Sequence, residues 1–254
     1  MSLESPARGV AMVTGAGRRI GRALALALAG AGFDIVAHHH QSLADVDTLG
    51  GAIRAQGRRM IATDADLTDE RQAIGLIARS QGLGPIQVLI NNASLFEDDR
   101  IETLTPDSWR RHMAVNLQAP ILLSQAFAAA LPAGMEGVII NLLDQRVLKP
   151  NPQFFSYSLS KSALWTATRT LAQALAPRIR VNGVGPGPTL PSAHQSDAEF
   201  AAEARAIPMQ RRATPDQIAS AVLYLIDAPS VTGQMITVDG GQHLAWQTPD
   251  VLKP

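Results

Sequence analysis

The chain contains no cysteine, which excludes disulfides and thiolate metal sites. It has no surplus of either charge: 22 lysines and arginines balance 22 aspartates and glutamates. No electrostatic footprint for nucleic acid or a membrane surface is therefore expected. No apolar run reaches the roughly 18 residues of a bilayer span, and the opening MSLESPARGV is too polar for a secretory signal. Linkers, low-complexity tracts and internal repeats are absent as well. The expectation is a soluble, cytoplasmic protein in one domain over 1–254, with 46% apolar residues available for a core.

Seven short apolar runs punctuate the chain: VAMVTG, FDIVAH, RRMIAT, IQVLIN, GVIINLL, RIRVNGV and QMITVDG. Alanine- and leucine-rich segments with helical spacing lie between them, as at 21–31 and 163–176. Strands apolar throughout, alternating with helices, predict a mainly parallel sheet covered on both faces. The fold class is α/β, a single doubly wound Rossmann domain with seven strands. Thr105-Pro106-Asp107 and Thr214-Pro215-Asp216 each supply a capping hydroxyl, a proline and an acid, the signature of a helix start. The stretch 186–196, rich in proline and glycine, reads as a loop.

The first strand runs into TGAGRRIG. Gly15, Gly17 and Gly21 let the backbone turn tightly, approach a phosphate and pack a helix on the strand. The second strand ends in AHHHQS without the acid that would hold an unmodified ribose. Arg18, His40 and Ser42 suit a 2'-phosphate instead, which predicts NADPH over NADH. The three histidines alternate faces along a strand and cannot converge on one ion, so no metal site is expected. Asp66 after the third strand either caps the next helix or, with the backbone at Leu67, meets the adenine edge.

Six segments in this order, TGAGRRIG, NNAS (91–94), Asn116 in AVNLQAP, YSLSK (157–161), RVNGVGPG (180–187) and VDGG (238–241), resemble the short-chain dehydrogenase/reductase family. The resemblance implies NADP(H) bound by Gly15, Gly17, Arg18, Arg19, Ile20 and Gly21, by Asn92, Ala93 and Ser94, by Lys161, and by Pro186 and Gly187. It also implies a catalytic Tyr157, with Lys161 one helical turn away and Asn116 holding a relay water. An ammonium beside a phenol is expected to draw its pKa down from near 10. Family members pair their long helices into tetramers, and the segments 106–131 and 157–176 have apolar residues on more than one face. A homotetramer acting on a small molecule is the expected assembly.

Where most of that family carries a serine, this chain has Asp144, thirteen positions before Tyr157. An ionised carboxylate only accepts hydrogen bonds and opposes the charge that develops on a reduced carbonyl oxygen. Two readings stay open: a protonated Asp144 acting as an acid, or a charged one that bonds the tyrosine and favours N–H donors or an iminium-like centre. Both suit a C=N bond. The combination of Asp144, Tyr157, Lys161, Arg18, Arg19, Ser94 and Phe96 resembles the pteridine reductases and the related dihydromonapterin reductases. That likeness implies a pterin stacked on Phe96, with Arg19 and Ser94 reaching pterin and phosphates. Gln41, where those enzymes carry a basic residue, departs from the pattern. The alternatives are a carbonyl or imine reductase on another substrate, and a dinucleotide-binding protein without turnover.

Overall fold

The computed structural model describes residues 7–191 and 196–246. Seven strands form one sheet: β1 (Gly9–Val13), β2 (Phe33–His39), β3 (Met60–Asp64), β4 (Ile86–Asn91), β5 (Gly137–Leu142), β6 (Ile179–Pro186) and β7 (Met235–Val238). Their order is β3-β2-β1-β4-β5-β6-β7, and every pairing is parallel. The predicted fold class is therefore observed. The predicted loop starts one residue late, because β6 runs through Pro186; residues 192–195 lie outside the described part.

Strand side chains alternate between two cores, as the period of two requires. On one face Ala11, Val13, Ile35, Val88, Ile90 and Val184 pack with Leu24, Leu49 and Ile218. These last three come from α1 (Arg19–Gly30), α2 (Leu43–Ala55) and α8 (Pro215–Asp227). On the other face Met12, Val36, Leu89, Ile139 and Val181 pack with Leu76, Leu123, Phe127 and Ala172, carried by α3 (Glu70–Arg79), α5 (Ala119–Ala130) and α6 (Phe155–Leu175). Full burial of a side chain such as Phe127 is worth about 1.5–3 kcal/mol.

Two further α-helices are α4 (Pro106–Met113) and α7 (Asp197–Ala206). Thr105 and Thr214 cap α4 and α8 as expected, accepting from the N–H groups of Ser108 at 3.1 Å and Gln217 at 3.3 Å. The predicted helix over 106–131 is interrupted by a π turn at Ala114–Gln118. By length and composition the run Pro106–Ala130 would suffice to cross a bilayer. In this fold its Leu123 and Phe127 face the core.

The chain leaves β1 toward β2 and β3, then crosses back to β4 on the other side of β1. At such a reversal the loops beyond the carboxyl ends of the strands diverge and open a crevice. The glycine turn follows β1, NNAS follows β4, Asp144 follows β5, and Gly187 follows β6.

Candidate active site

The glycine turn is shaped by close backbone approach. Gly15 has φ 63, in the left-handed region. A Cβ on Gly21 would lie 2.0 Å from the Gly15 carbonyl oxygen, so no side chain fits there. Asn92 Nδ2 donates to the carbonyls of Thr14 at 2.8 Å and Gly15 at 3.2 Å. Thr14 Oγ1 accepts from the N–H groups of Asn92 and Ala93, both at 2.9 Å. Asn92 thus holds the turn from behind, and its amide is already engaged. The close backbone approach at Gly21 and the left-handed Gly15 fit a nucleotide pyrophosphate.

The three histidines have different surroundings. His38 is buried and accepts from Gly15 N–H through Nδ1 at 3.1 Å, while Nε2 meets the Ala65 carbonyl at 3.0 Å. Burial lowers its pKa to about 4, and it remains a neutral strut between the glycine turn and the end of β3. His39 is buried, whereas His40 is exposed beyond the strand end. Sequence reasoning missed the strut because nothing local marks which histidine faces the turn.

The predicted phosphate group is only partly assembled. Ser42 lies beside Gly17, its hydroxyl 3.5 Å from where a Gly17 Cβ would stand. Arg18 is ion-paired with Asp45 in the first turn of α2. His40 instead lies near Asp66 and helps to lower the pKa of that carboxyl, after the larger effect of the Thr68 N–H. Asp66 Oδ1 accepts from Thr68 N and Oγ1, both at 2.8 Å, and forms a local turn. The helix cap predicted as one alternative falls to Asp69, which accepts from Arg71 N and Gln72 N. The Leu67 side chain is buried in the core.

Arg19 departs from its expected direction. Its backbone has φ 52, and its guanidinium donates to the carbonyls of Pro191 at 2.9 Å and Leu190 at 3.2 Å. The side chain therefore clasps the loop after β6. Ile20 packs against the core cluster beneath the turn. Gly187 is tight as well, since a Cβ there would fall 2.6 Å from Asp239 Cβ.

The reacting end is closely built. Tyr157 donates its phenolic proton to Asp144 Oδ2 at 2.9 Å. Asp144 also accepts from Arg146 N at 2.8 Å and, through Oδ2, from Arg146 Nη1 at 3.3 Å. Each of these contacts donates to Asp144, which stands as an acceptor. The phenol of Tyr157 is pushed well above its ordinary value by burial, then by the charge and hydrogen bond of Asp144, with Arg146 opposing. This corrects the expectation that Lys161 lowers it. The Lys161 ammonium lies 5.8 Å from the ring centroid and donates to the Leu142 carbonyl at 2.7 Å. Burial brings its own pKa down to about 8, against the opposing charge of Asp144.

Asn116 stands in the π turn, fully buried. Its amide donates to Leu95 O at 3.0 Å and Ser160 Oγ at 3.1 Å, while Oδ1 accepts from Leu95 N at 2.8 Å and Ser94 Oγ at 3.1 Å. The side chain fastens Ser94 and Leu95 to Ser160 of α6. Such π turns within helices often occur at functional sites.

Phe96 stacks on Phe154, with centroids 4.2 Å apart and planes 10° apart, and meets Tyr157 edge-on at 4.7 Å. Arg146 covers both phenyl rings at 5.6 and 5.4 Å. Phe154 and Arg146 escaped the sequence reading. The only signals were the first aromatic in QFFSY and a basic residue two places after Asp144. Among the described residues no cluster of three metal-ligating side chains occurs.

A family model described as enoyl-(acyl carrier protein) reductase matches residues 15–243. An uncharacterized oxidoreductase of Methylorubrum extorquens is 37% identical, over 91% of this chain and 96% of its own. A 3-oxoacyl-[acyl-carrier-protein] reductase of Synechocystis is 31% identical, over 91% and 96%. Among solved structures, the FolM alternative dihydrofolate reductase 1 of Brucella suis in complex with NADP is 46% identical with a TM-score of 0.93, covering 97% of this chain and 100% of that one. With the parallel sheet, the glycine turn and the Tyr157–Lys161 pair already in place, these matches establish that the chain belongs to the short-chain dehydrogenase/reductase family.

Proposed function

We propose that this protein is an NADP(H)-dependent oxidoreductase that reduces a C=N bond of a pterin or dihydropterin of the biopterin, monapterin or folate type. The observation that carries the reading is the 2.9 Å bond from Tyr157 to Asp144. A carboxylate there would repel a developing alkoxide, whereas a ring N–H or a cationic C=N centre gains from it. The 46% identity to the Brucella suis NADP complex supports both the cofactor and the substrate class.

Bound in the crevice, the cofactor would supply a hydride to the carbon of the C=N bond. Gly15, Gly17 and Gly21 would leave room for its pyrophosphate, and Arg18 and Ser42 would face a 2'-phosphate. Lys161, with one ammonium hydrogen on Leu142 O, would offer another to the nicotinamide ribose. Tyr157 delivers its proton to the nitrogen as the carbon is reduced, and the charge of Arg146, which opposes the upward shift of the phenol, offsets the phenolate left behind. Asp144 orients the phenol, and Phe96, a residue 37% exposed, would offer aromatic surface to a flat ring.

The test is NADPH oxidation with dihydrobiopterin, dihydromonapterin and dihydrofolate, beside a panel of ketones and simple imines. Rapid oxidation with a pterin, much slower with NADH, is expected. Turnover of ketones alone would overturn the substrate class and leave a carbonyl reductase. Nucleotide binding without any turnover would overturn the enzymatic reading. Tyr157→Phe should lower kcat by about 10²–10⁴-fold while leaving NADPH affinity nearly intact.

A further inference from the structure

The first turn of α6 carries Tyr157, yet its own sequence does not cap it. Phe154 at the N-cap lacks a side-chain acceptor and has φ 52. The first N–H groups of any helix need acceptors from outside it. Here one residue, 57 positions upstream of Ser156, supplies two. The backbone carbonyl of Asp99 accepts from Phe155 N–H at 3.0 Å, and Asp99 Oδ1 accepts from Ser156 N–H at 2.9 Å. Its other oxygen accepts from Ser108 Oγ in α4 at 3.1 Å.

Asp99 is only 3% exposed. Burial pushes its carboxyl up, but hydrogen bonds from Ser156 and Ser108 outweigh this and hold it below the usual carboxylate range. An anion facing a helix N-terminus is electrostatically favourable. Asp99 also belongs to the loop that carries Phe96. That loop is pinned elsewhere by Asn116 at Leu95, by His112 Nε2 at Glu97 N–H (3.3 Å), and by the two-pronged Arg111–Glu97 pair at 2.8 and 2.7 Å. Those three fasten the loop to the α4 side and the π turn. Beside the ring contacts of Phe96, Asp99 ties it by hydrogen bonds to the start of α6.

We propose that Asp99 is a positioning residue that locks the Phe96 loop to the first turn of α6, so that Phe96, Phe154 and the Tyr157 hydroxyl keep one fixed arrangement. It acts through Phe155 and Ser156 on the residue that follows them. The proposal rests on Tyr157 as proton donor, but its test does not depend on the substrate. A shift of about 1 Å in a reacting group can cost about 10²-fold in rate, and a frayed first turn would move both the ring and the hydroxyl.

The chain has only two tyrosines. In a Tyr224→Phe background, phenolate absorbance reports Tyr157 alone, with no substrate present. The charged groups around that phenol are Asp144 and Arg146 after β5 and Lys161 on its own helix. At about pH 10.5 an ordinary phenol is more than half ionised. Tyr157 should stay protonated in the parent and in Asp99→Asn, which keeps the acceptor, and should ionise in Asp99→Ala with the far-ultraviolet circular dichroism unchanged. With a turned-over pterin, Asp99→Ala should lose about 10²-fold in kcat with NADPH Kd changed less than about threefold. A parent-like phenol and parent-like kcat in Asp99→Ala would overturn the proposal. Parallel loss of helicity, NADPH binding and activity in both variants would do so too, by making Asp99 a stability residue. If no pterin is turned over by the parent, the functional reading fails while the phenol titration still decides the role of Asp99.

Discussion

Asp144 Oδ2 receives two donors at once, the Tyr157 hydroxyl at 2.9 Å and Arg146 Nη1 at 3.3 Å. The phenol is therefore held as a donor, not drawn toward phenolate. The nearest cation to the phenol's partner is Arg146, and Lys161 acts from beneath the ring.

Replacing Asp144 tests the carboxylate itself. In Asp144→Ser the phenol loses an acceptor and a nearby charge that both raise its pKa, and the site regains the hydroxyl donor usual for carbonyl reduction. Pterin kcat should fall by about 10²-fold or more, and ketones excluded by the parent should gain measurable turnover. Parallel steady-state assays on both panels check this. Unchanged pterin kinetics would remove Asp144 from the chemistry.

Arg146 should matter chiefly through placement. Its guanidinium lies over Phe96 and Phe154 and holds Asp144, with the side chain only 17% exposed. Arg146→Leu removes a cation that opposes the upward shift of Tyr157, so the phenol should become still harder to ionise. Loss of a partly desolvated cation–π contact costs about 1–2 kcal/mol. A rise of about tenfold in pterin KM, with NADPH KM unaffected, is the expected kinetic outcome.

Cofactor preference can be read at the Arg18–Asp45 pair. A 2'-phosphate must compete with Asp45 for the guanidinium. Arg18→Ala should weaken NADPH and leave NADH nearly unchanged, since a charge-assisted contact of about 1.5–3 kcal/mol is lost. Asp45→Asn should do the reverse and tighten NADPH, most clearly at low salt, where surface charges are least screened. Fluorescence titration of both nucleotides across ionic strength separates the two effects. Equal changes for NADH and NADPH would show that this pair does not face the 2' position.

Much of this was legible in sequence because it depends on period and order. Seven apolar runs alternating with helical segments gave one parallel sheet, and a Tyr–Lys spacing of four put both side chains on one helix face. Asp144 was found because it replaces a serine at a strand end. The rest depends on contacts that no local pattern encodes. Which histidine supports Gly15 follows from how β2 meets the glycine turn. Arg19 has a left-handed backbone, and its guanidinium reaches carbonyls more than 170 residues later. Asp99 caps a helix 57 positions downstream, and an acid in EDDR carries no mark of that. Lys161 was expected to tune the tyrosine from spacing alone, whereas burial and Asp144 decide it.

Lys161 ties activity to stability with opposite signs. Its ammonium is 2% exposed, and burial lowers its pKa from 10.5 to about 8. The unfolded chain binds this proton more tightly, so a stability penalty is fully present below about pH 8 and fades as pH rises toward 10.5. A shift of that size corresponds to about 3 kcal/mol, reduced by the bond to Leu142 O, which is lost on substitution. Lys161→Met should therefore be inactive yet more stable than the parent at pH 7, by about 1–3 kcal/mol in urea unfolding. The difference should narrow between pH 8 and 10. The same titration should appear in catalysis as a fall in kcat/KM above about pH 8, when the free enzyme loses the ammonium proposed to hold the nicotinamide ribose. A less stable Lys161→Met at pH 7, or a difference that does not change with pH, would mean that the ammonium is better compensated than its single backbone acceptor implies.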